Sequence, residues 1–324
     1  MVETIKLLKG DFVVLDLGSA HSVGILRKMP NVMEAITLIE IDLHASATEG
    51  PAGYFKRIKL KKAVAGKHGN RVFKQRKFPD CSSFLDPVPG LVRAYGLEEY
   101  FVEVASVEME CETITELLLH EGLKRVDLLK TDLEGLDYEV LAGDPGLVSQ
   151  ALCVQSELRF QPFFQGERMF HEVLSYLTNL GFELIWMRPT IWKYATVDRA
   201  RQRDGRCVWA DVMLFLNPQT VEARFGHEAW KAFVKQIILA RLLGLANYSQ
   251  YLYQQKTTQF PNGVREELAR FVRPAFSLPR SILAQVNKLP FGWMAIGAIR
   301  RMFRYGYKTT AIYSGDVMTS GDLL

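Results

Sequence analysis

Val126-Asp-Leu-Leu-Lys130-Thr-Asp132-Leu-Glu134-Gly135-Leu-Asp-Tyr-Glu-Val-Leu-Ala-Gly143 is the stretch that decides the fold. An apolar run stops at an Asp-x-Glu-Gly turn and restarts with helical spacing. That reading puts Asp132 and Glu134 at the carboxyl end of a buried strand, where open α/β sheets bind their ligands.

Working outward, the same form recurs. Phe12-Val-Val-Leu-Asp16 is a short apolar run that ends in an acid and then Gly18, and Ala35 to Asp42 repeats it with Glu40 and Asp42 at its tip. Short apolar runs of this kind read as parallel strands buried on both faces. Ile58 to Val64 is expected to supply a third strand, Val126 to Thr131 a fourth and Ala151 to Glu157 a fifth. Phe182 to Trp186 and Val208 to Leu216 are expected to pair antiparallel at the sheet edge. Strand and helix alternate, which predicts a doubly wound, mostly parallel seven-stranded α/β sheet complete near Leu216.

Between the third and fourth strands, Phe78-Pro-Asp-Cys-Ser-Ser-Phe-Leu-Asp-Pro-Val-Pro-Gly90 is turn-rich and too long for a mere connector, so it reads as an active-site loop. Thr113 with Glu116 three residues later predicts a capping box at the start of the helix before strand four. Beyond Pro218 the pattern becomes helical. Trp230, Val234, Ile238, Leu242 and Leu245 keep helical spacing, Pro261-Asn-Gly263 breaks it, and further helices are expected at Val264–Val272 and Arg280–Lys288. The chain therefore divides into a sheet domain, 1–216, and a helical, basic extension, 217–324. The extension holds 14 Lys and Arg against 6 Asp and Glu, a surplus of +8, in a chain whose net charge is +4.

Cys81, Cys111, Cys153 and Cys207 are widely spaced, with no Cys-x-x-Cys pair, and read as reduced thiols. The first residues are too short and too charged for a signal peptide, and no run reaches the ~18 apolar residues of a spanning helix. A cytoplasmic location is expected. The phosphate-binding Gly-x-x-x-x-Gly-Lys-Ser/Thr loop and the Gly-x-Gly-x-x-Gly turn are both missing, which disfavours a nucleoside triphosphatase and a nicotinamide dehydrogenase.

The 126–143 stretch closely resembles the Asp-Leu-Leu-Lys-Ile-Asp-Val-Glu-Gly signature of the FkbM family of S-adenosylmethionine-dependent methyltransferases. Asp16-Leu-Gly-Ser-Ala-His-Ser22 resembles the family's glycine loop, Ala63 to Gly69 its third-strand tip, Cys81-Ser-Ser83 its serine-pair loop and Val154 to Phe160 its fifth-strand tip. The resemblance spans roughly residues 12–216 and implies a Rossmann-like class I methyltransferase sheet. It implies S-adenosylmethionine as cofactor, with Asp16, Gly18 and Ser19 beside the donor's amino-acid end. Glu40, with Asp42 as second choice, is implied to accept hydrogen bonds from the ribose hydroxyls, and Ser83 to line the donor site. The glycine loop departs from the family pattern at Ala20 and Ser22, where Asn and Gly are usual.

Oxygen methylation requires removal of a hydroxyl proton, so a carboxylate near the donor is the natural base. Asp132, Glu134 and Glu157 are the candidates, with His21 and His171 behind them. One carboxylate pair is a thin basis for a divalent ion, and no metal is assigned. The aromatics of Phe160-Gln-Pro-Phe-Phe-Gln-Gly166 wall an acceptor pocket or pack under the next helix. The resemblance implies hydroxyl acceptors on small molecules, saccharides or lipid-linked glycans.

Within 291–308, Trp293, Ile296 and Phe303 oppose Arg300, Arg301, Arg304 and Lys308. This suits an in-plane helix drawn to anionic lipid, or a helix packed on the sheet domain with a solvated basic face. Peripheral membrane contact through this segment and a homodimer are the partner expectations beside the acceptor, and nucleic acid is not expected. Two other readings remain open: a non-catalytic Rossmann-like binding or scaffold module that uses the altered loop and basic tail, and another α/β transferase such as a glycosyltransferase.

Overall fold

A computed structural model describes residues 1–18, 29–43, 53–196 and 205–273. Its strands are β1 (Phe12–Leu17), β2 (Ile36–Ile41), β3 (Lys56–Leu60), β4 (Ala63–Val64), β5 (Gly69–Arg76), β6 (Glu103–Glu112), β7 (Leu128–Thr131), β8 (Cys153–Arg159), β9 (Phe182–Trp192) and β10 (Arg206–Leu216). Seven form one sheet in the order β3-β2-β1-β7-β8-β10-β9. The first five are parallel, and β10 is inserted antiparallel between β8 and β9. All six residues of β1 and of β2 are buried, as strands covered on both faces must be. This is the doubly wound, mostly parallel Rossmann-like sheet that the sequence predicts.

The order reverses between β1 and β7, and such a switch point opens a crevice at the carboxyl ends of the strands. The register fixes which residues meet there. Asp16 is the ladder partner of Glu40 on one side and of Lys130 on the other, and Thr131 is the partner of Ser156.

Two details differ from the sequence reading. The expected strand Ile58–Val64 breaks at Lys61 and Lys62: β3 stays in the main sheet, whereas β4 leaves it to pair with β6. β4, β6 and β5 make a separate three-stranded sheet inserted between β3 and β7. The edge hairpin is also longer than expected, because β9 runs on to Trp192 and β10 begins at Arg206. The capping box forms as read, with the Thr113 hydroxyl accepting from the Glu116 N–H and the Glu116 carboxylate accepting from the Thr113 N–H at 2.8 Å.

Helices Pro218–Phe225, Ala229–Leu242, Ala246–Lys256 and Asn262–Phe271 follow the sheet. The second of these is buried almost all round, and its apolar side chains share one core with β1, β2, β7, β8 and β10. Of its two polar interior residues, Lys235 is fully paired and Gln236 is paired through its amide nitrogen, its side-chain oxygen being left without a hydrogen bond. The Lys235 ammonium lies 3.0 Å from each oxygen of Asp127, and the Gln236 amide donates to the carbonyls of Leu152 and Leu216. Removing one partner of such a buried pair costs about 3–5 kcal/mol. Among the described residues no helix is long and apolar enough to cross a membrane. The expected helix at 280–288, the basic segment 291–308, and Ser19, Ala20, His21 and Ser22 lie outside the described residues.

Candidate active site

A cavity of about 1150 Å³ opens at the switch point. Its floor is the carboxyl ends of β1, β2, β7 and β8, through Gly18, Asp42, Lys130, Asp132, Glu134 and Glu157. The 78–84 segment and the inserted sheet form one wall, so the turn-rich stretch does border the cavity as read. A further part of the lining is aromatic, with Phe163, Phe164, Trp192 and Trp209.

Two charge clusters sit on the floor. In the first, the Lys130 ammonium lies 3.0 Å from Asp16 and 3.6 Å from Asp132, and donates to the Gly18 carbonyl at 3.3 Å. Burial by itself lowers the lysine pKa, but Asp16 and Asp132 outweigh it and hold the ammonium charged. Asp16 is buried beneath, and the Asp132 side chain is 42% exposed to the cavity. Gly18 has φ +76, and a Cβ placed on it would stand 1.9 Å from the Asp132 carbonyl oxygen. Only glycine lets the β1 tip approach the β7 tip this closely.

Next to this cluster on β2, the buried Glu40 carboxylate is gripped by both arms of Arg57, at 2.5 Å and 2.7 Å. Tyr54 stands near the pair, its hydroxyl pushed up to about 12 by burial and then by Glu40, against the pull of Arg57. Asp42 reaches the cavity, whereas Glu40 lies just behind its wall.

The second cluster centres on Arg159, at the end of β8. Its guanidinium lies 2.9 Å from Glu134, 2.9 Å from Glu157 and 3.3 Å from Glu167, with its flat face 5.0 Å from the Trp209 ring. Three carboxylates around one cation leave an excess of negative charge. Burial pushes the Glu157 carboxyl up to about 8, against Arg159, with Asp132 adding to the rise. Burial drives Glu134 well above the ordinary carboxyl range, Arg159 again opposing and Glu157 adding. Glu167 rises to about 7 for the same first cause. Burial works against the charge of Arg159, but Glu157, Glu134 and Glu167 keep it protonated.

The turn that carries Glu134 is held in an uncommon shape. Glu134 has φ +46 and Gly135 φ +96, a left-handed pair that costs a non-glycine residue of order 1–3 kcal/mol. Ser83 pins it: the hydroxyl donates to the Glu134 carbonyl at 2.7 Å and accepts from the Leu85 N–H at 3.1 Å. The serine loop is thereby latched onto the Asp132–Gly135 turn.

Of the residues expected from sequence, Gly18, Asp42, Ser83, Asp132, Glu134 and Glu157 line this one cavity. Asp16 and Glu40 lie just beneath, in the same register row. Ser19 lies outside the described residues. His171 is on the helix Phe170–Asn179, away from the lining. Phe163 and Phe164 join the aromatic wall, whereas Phe160 stacks on Phe170, 4.7 Å between centroids. Sequence reasoning passed over Lys130, Arg159, Arg57, Trp192 and Trp209. For Lys130 the signal was a cation in a short buried strand just before Asp132, and for Arg159 a cation at a strand end two residues after Glu157. Among the described residues no group of three His, Cys, Asp or Glu side chains is arranged to hold a metal ion.

The sequence was compared with known proteins. Residues 54–184 match the family model described as "Methyltransferase FkbM domain". The match takes in the 126–143 stretch, Ser83 and Glu157, and begins after Asp16, Gly18 and Glu40. No curated protein matches the chain. A solved structure from Streptococcus pneumoniae, Sp1610, provisionally assigned as a tRNA (m1A22) methyltransferase, aligns over 84% of this chain and 94% of its own. The identity is 11% and the TM-score 0.25, too low for the likeness to bear on function.

Proposed function

We propose, from the FkbM methyltransferase domain that the chain carries over residues 54–184, that the protein transfers a methyl group from S-adenosylmethionine to a hydroxyl oxygen. The acceptor is a small molecule, a saccharide or a lipid-linked glycan. The observation that carries this reading is the Asp16–Glu40 ladder pair with Asp132 just past the end of β7, all at one end of the sheet, beside a cavity of about 1150 Å³. Sites for drug-sized ligands occupy about 300–1,000 Å³. The cavity has room for a nucleoside donor and an acceptor ring together.

The donor set suits a sulfonium nucleoside. Each Glu40 oxygen accepts one hydrogen bond from Arg57 and keeps a second lone pair for a ribose hydroxyl. Asp16 and Asp132 offer negative charge to the donor's cationic end, and Gly18 keeps the β1 tip free of a side chain. Ser83 acts on this site through the Glu134 turn that it holds. The donor, when bound, supplies an electrophilic methyl group.

The chain's own part in the chemistry is to orient the acceptor and take up its proton. Glu157 is the preferred base: a carboxyl that titrates at about 8 is matched to proton transfer near neutral pH. Glu134, held further up and bound to the same guanidinium, is suited to stay protonated and donate a hydrogen bond. Asp132 is the second choice of base. Phe163, Phe164, Trp192 and Trp209 give the acceptor an apolar wall that excludes water from the reacting oxygen.

Incubation with donor labelled at its methyl group, against separated small-molecule, glycan and lipid acceptor fractions, tests the reading. Base-stable incorporation into one fraction, lost in Glu157→Gln, supports oxygen methylation. No incorporation into any fraction by a chain that binds the donor would reject it.

A further inference from the structure

Lys130, on the cavity floor, bridges the tips of β1 and β7 through its side chain, touching Asp16, Asp132 and the Gly18 carbonyl together. It is close to buried, with 11% of its side chain exposed, and that remainder faces the cavity. An ammonium so placed divides its charge between two carboxylates and offsets part of the negative field that a cationic ligand would meet. S-adenosylmethionine carries a sulfonium, whereas its product, S-adenosylhomocysteine, carries a neutral thioether. A fixed positive charge in the wall therefore acts on the two ligands unequally.

We infer that Lys130 is a specificity-determining residue that balances donor against product, restraining the affinity for the cationic donor so that the neutral product does not bind far more weakly than the substrate it replaces. The inference rests on the donor reading above. The local geometry supports it independently: the strand places Lys130 opposite Asp16 in the β1–β7 ladder, so the ammonium cannot swing away without giving up an ion pair with a buried carboxylate. Arg57 does not share this role, because its guanidinium is spent on Glu40, behind the lining.

The test is calorimetric titration of the full chain with S-adenosylmethionine and S-adenosylhomocysteine separately, for wild type, Lys130→Met, Lys130→Gln and Lys130→Arg. The informative quantity is the ratio of the two dissociation constants, which a general loss of packing would leave unmoved. Removing one unit charge a few ångströms from both acids is expected to shift that ratio toward the sulfonium ligand by about tenfold in Lys130→Met and Lys130→Gln. Lys130→Arg is expected to keep the wild-type ratio. Lys130→Gln retains a hydrogen-bond donor for Asp16 and serves if the methionine variant does not fold. Both ligands binding the wild type, with a ratio unchanged within twofold in the neutral variants, overturns the role of Lys130 and leaves the donor site standing. Neither ligand binding the wild type overturns the donor site itself.

Discussion

Gly18 and Asp132 meet backbone to backbone: a Cβ on Gly18 would lie 1.9 Å from the Asp132 carbonyl oxygen. The contact joins the tips of β1 and β7, where the strand order reverses, and it has no side-chain slack. Gly18→Ala is expected to cost about 3–5 kcal/mol, combining a left-handed backbone with an overpacked contact. Urea unfolding measures it. A loss under 1 kcal/mol would mean that the two tips are not in contact.

Glu40→Ala is expected to weaken S-adenosylmethionine by about 1–3 kcal/mol, since buried ribose hydroxyls lose a charged acceptor and Arg57 is left unpaired. Calorimetry reads this directly. An affinity equal to that of the wild type would remove Glu40 from the ribose role.

The Glu157 carboxyl titrates at about 8, with burial the main cause. Because the ionised form is the base, the rate should rise with pH through about 8 and level off above it. Glu157→Gln should lower kcat by about 10²–10⁴ and abolish that limb. The same shift has the opposite sign for stability. The folded state prefers the protonated carboxyl, so this group's contribution is whole below the ordinary carboxylate range and is lost as pH climbs through about 8. A pH–rate profile flat from 6 to 9 would take Glu157 out of proton transfer.

At the other end of the molecule, Glu267 on the last described helix accepts from the Glu3 N–H at 3.1 Å, the Thr4 N–H at 2.9 Å and the Thr4 hydroxyl at 2.7 Å. Burial raises this carboxyl, but the bonds from Thr4 and Glu3 outweigh it and hold it at about 2. Its contribution is therefore present above the ordinary carboxyl range and lost as pH falls toward about 2. Glu267→Gln is expected to cost about 1–3 kcal/mol at neutral pH and to flatten the acid limb of stability between pH 5 and 2. Equal acid limbs in the two proteins would show that the helix is not tied to the N-terminal segment by this group.

The sheet was legible because its central strands announce themselves. β1 and β2 are mostly apolar runs tipped by acids and buried at every position, and β7 is a short run that ends at the Asp132 turn. The capping box at Thr113 was legible because its two hydrogen bonds lie within three residues. What stayed hidden depends on partners far along the chain. Lys61 and Lys62 do not reveal that β4 abandons β3 for β6, since local pattern specifies a strand but not its neighbour. Lys130 and Arg159 gain their meaning only when the fold brings Asp16 and Glu167 beside them. The spacing of Trp230, Val234, Ile238 and Leu242 predicted the helix Ala229–Leu242, and only the helices and sheet around it show why Lys235 and Gln236 are buried.

The most direct test of the central claim is a crystal structure of the chain with S-adenosylhomocysteine. The expected result is an adenosine whose ribose hydroxyls meet Glu40, with the sulfur facing the side of the cavity that holds Asp132 and Glu157. A ligand bound away from the β1–β7 switch point, or a cavity still empty after soaking at millimolar concentration, would contradict the account.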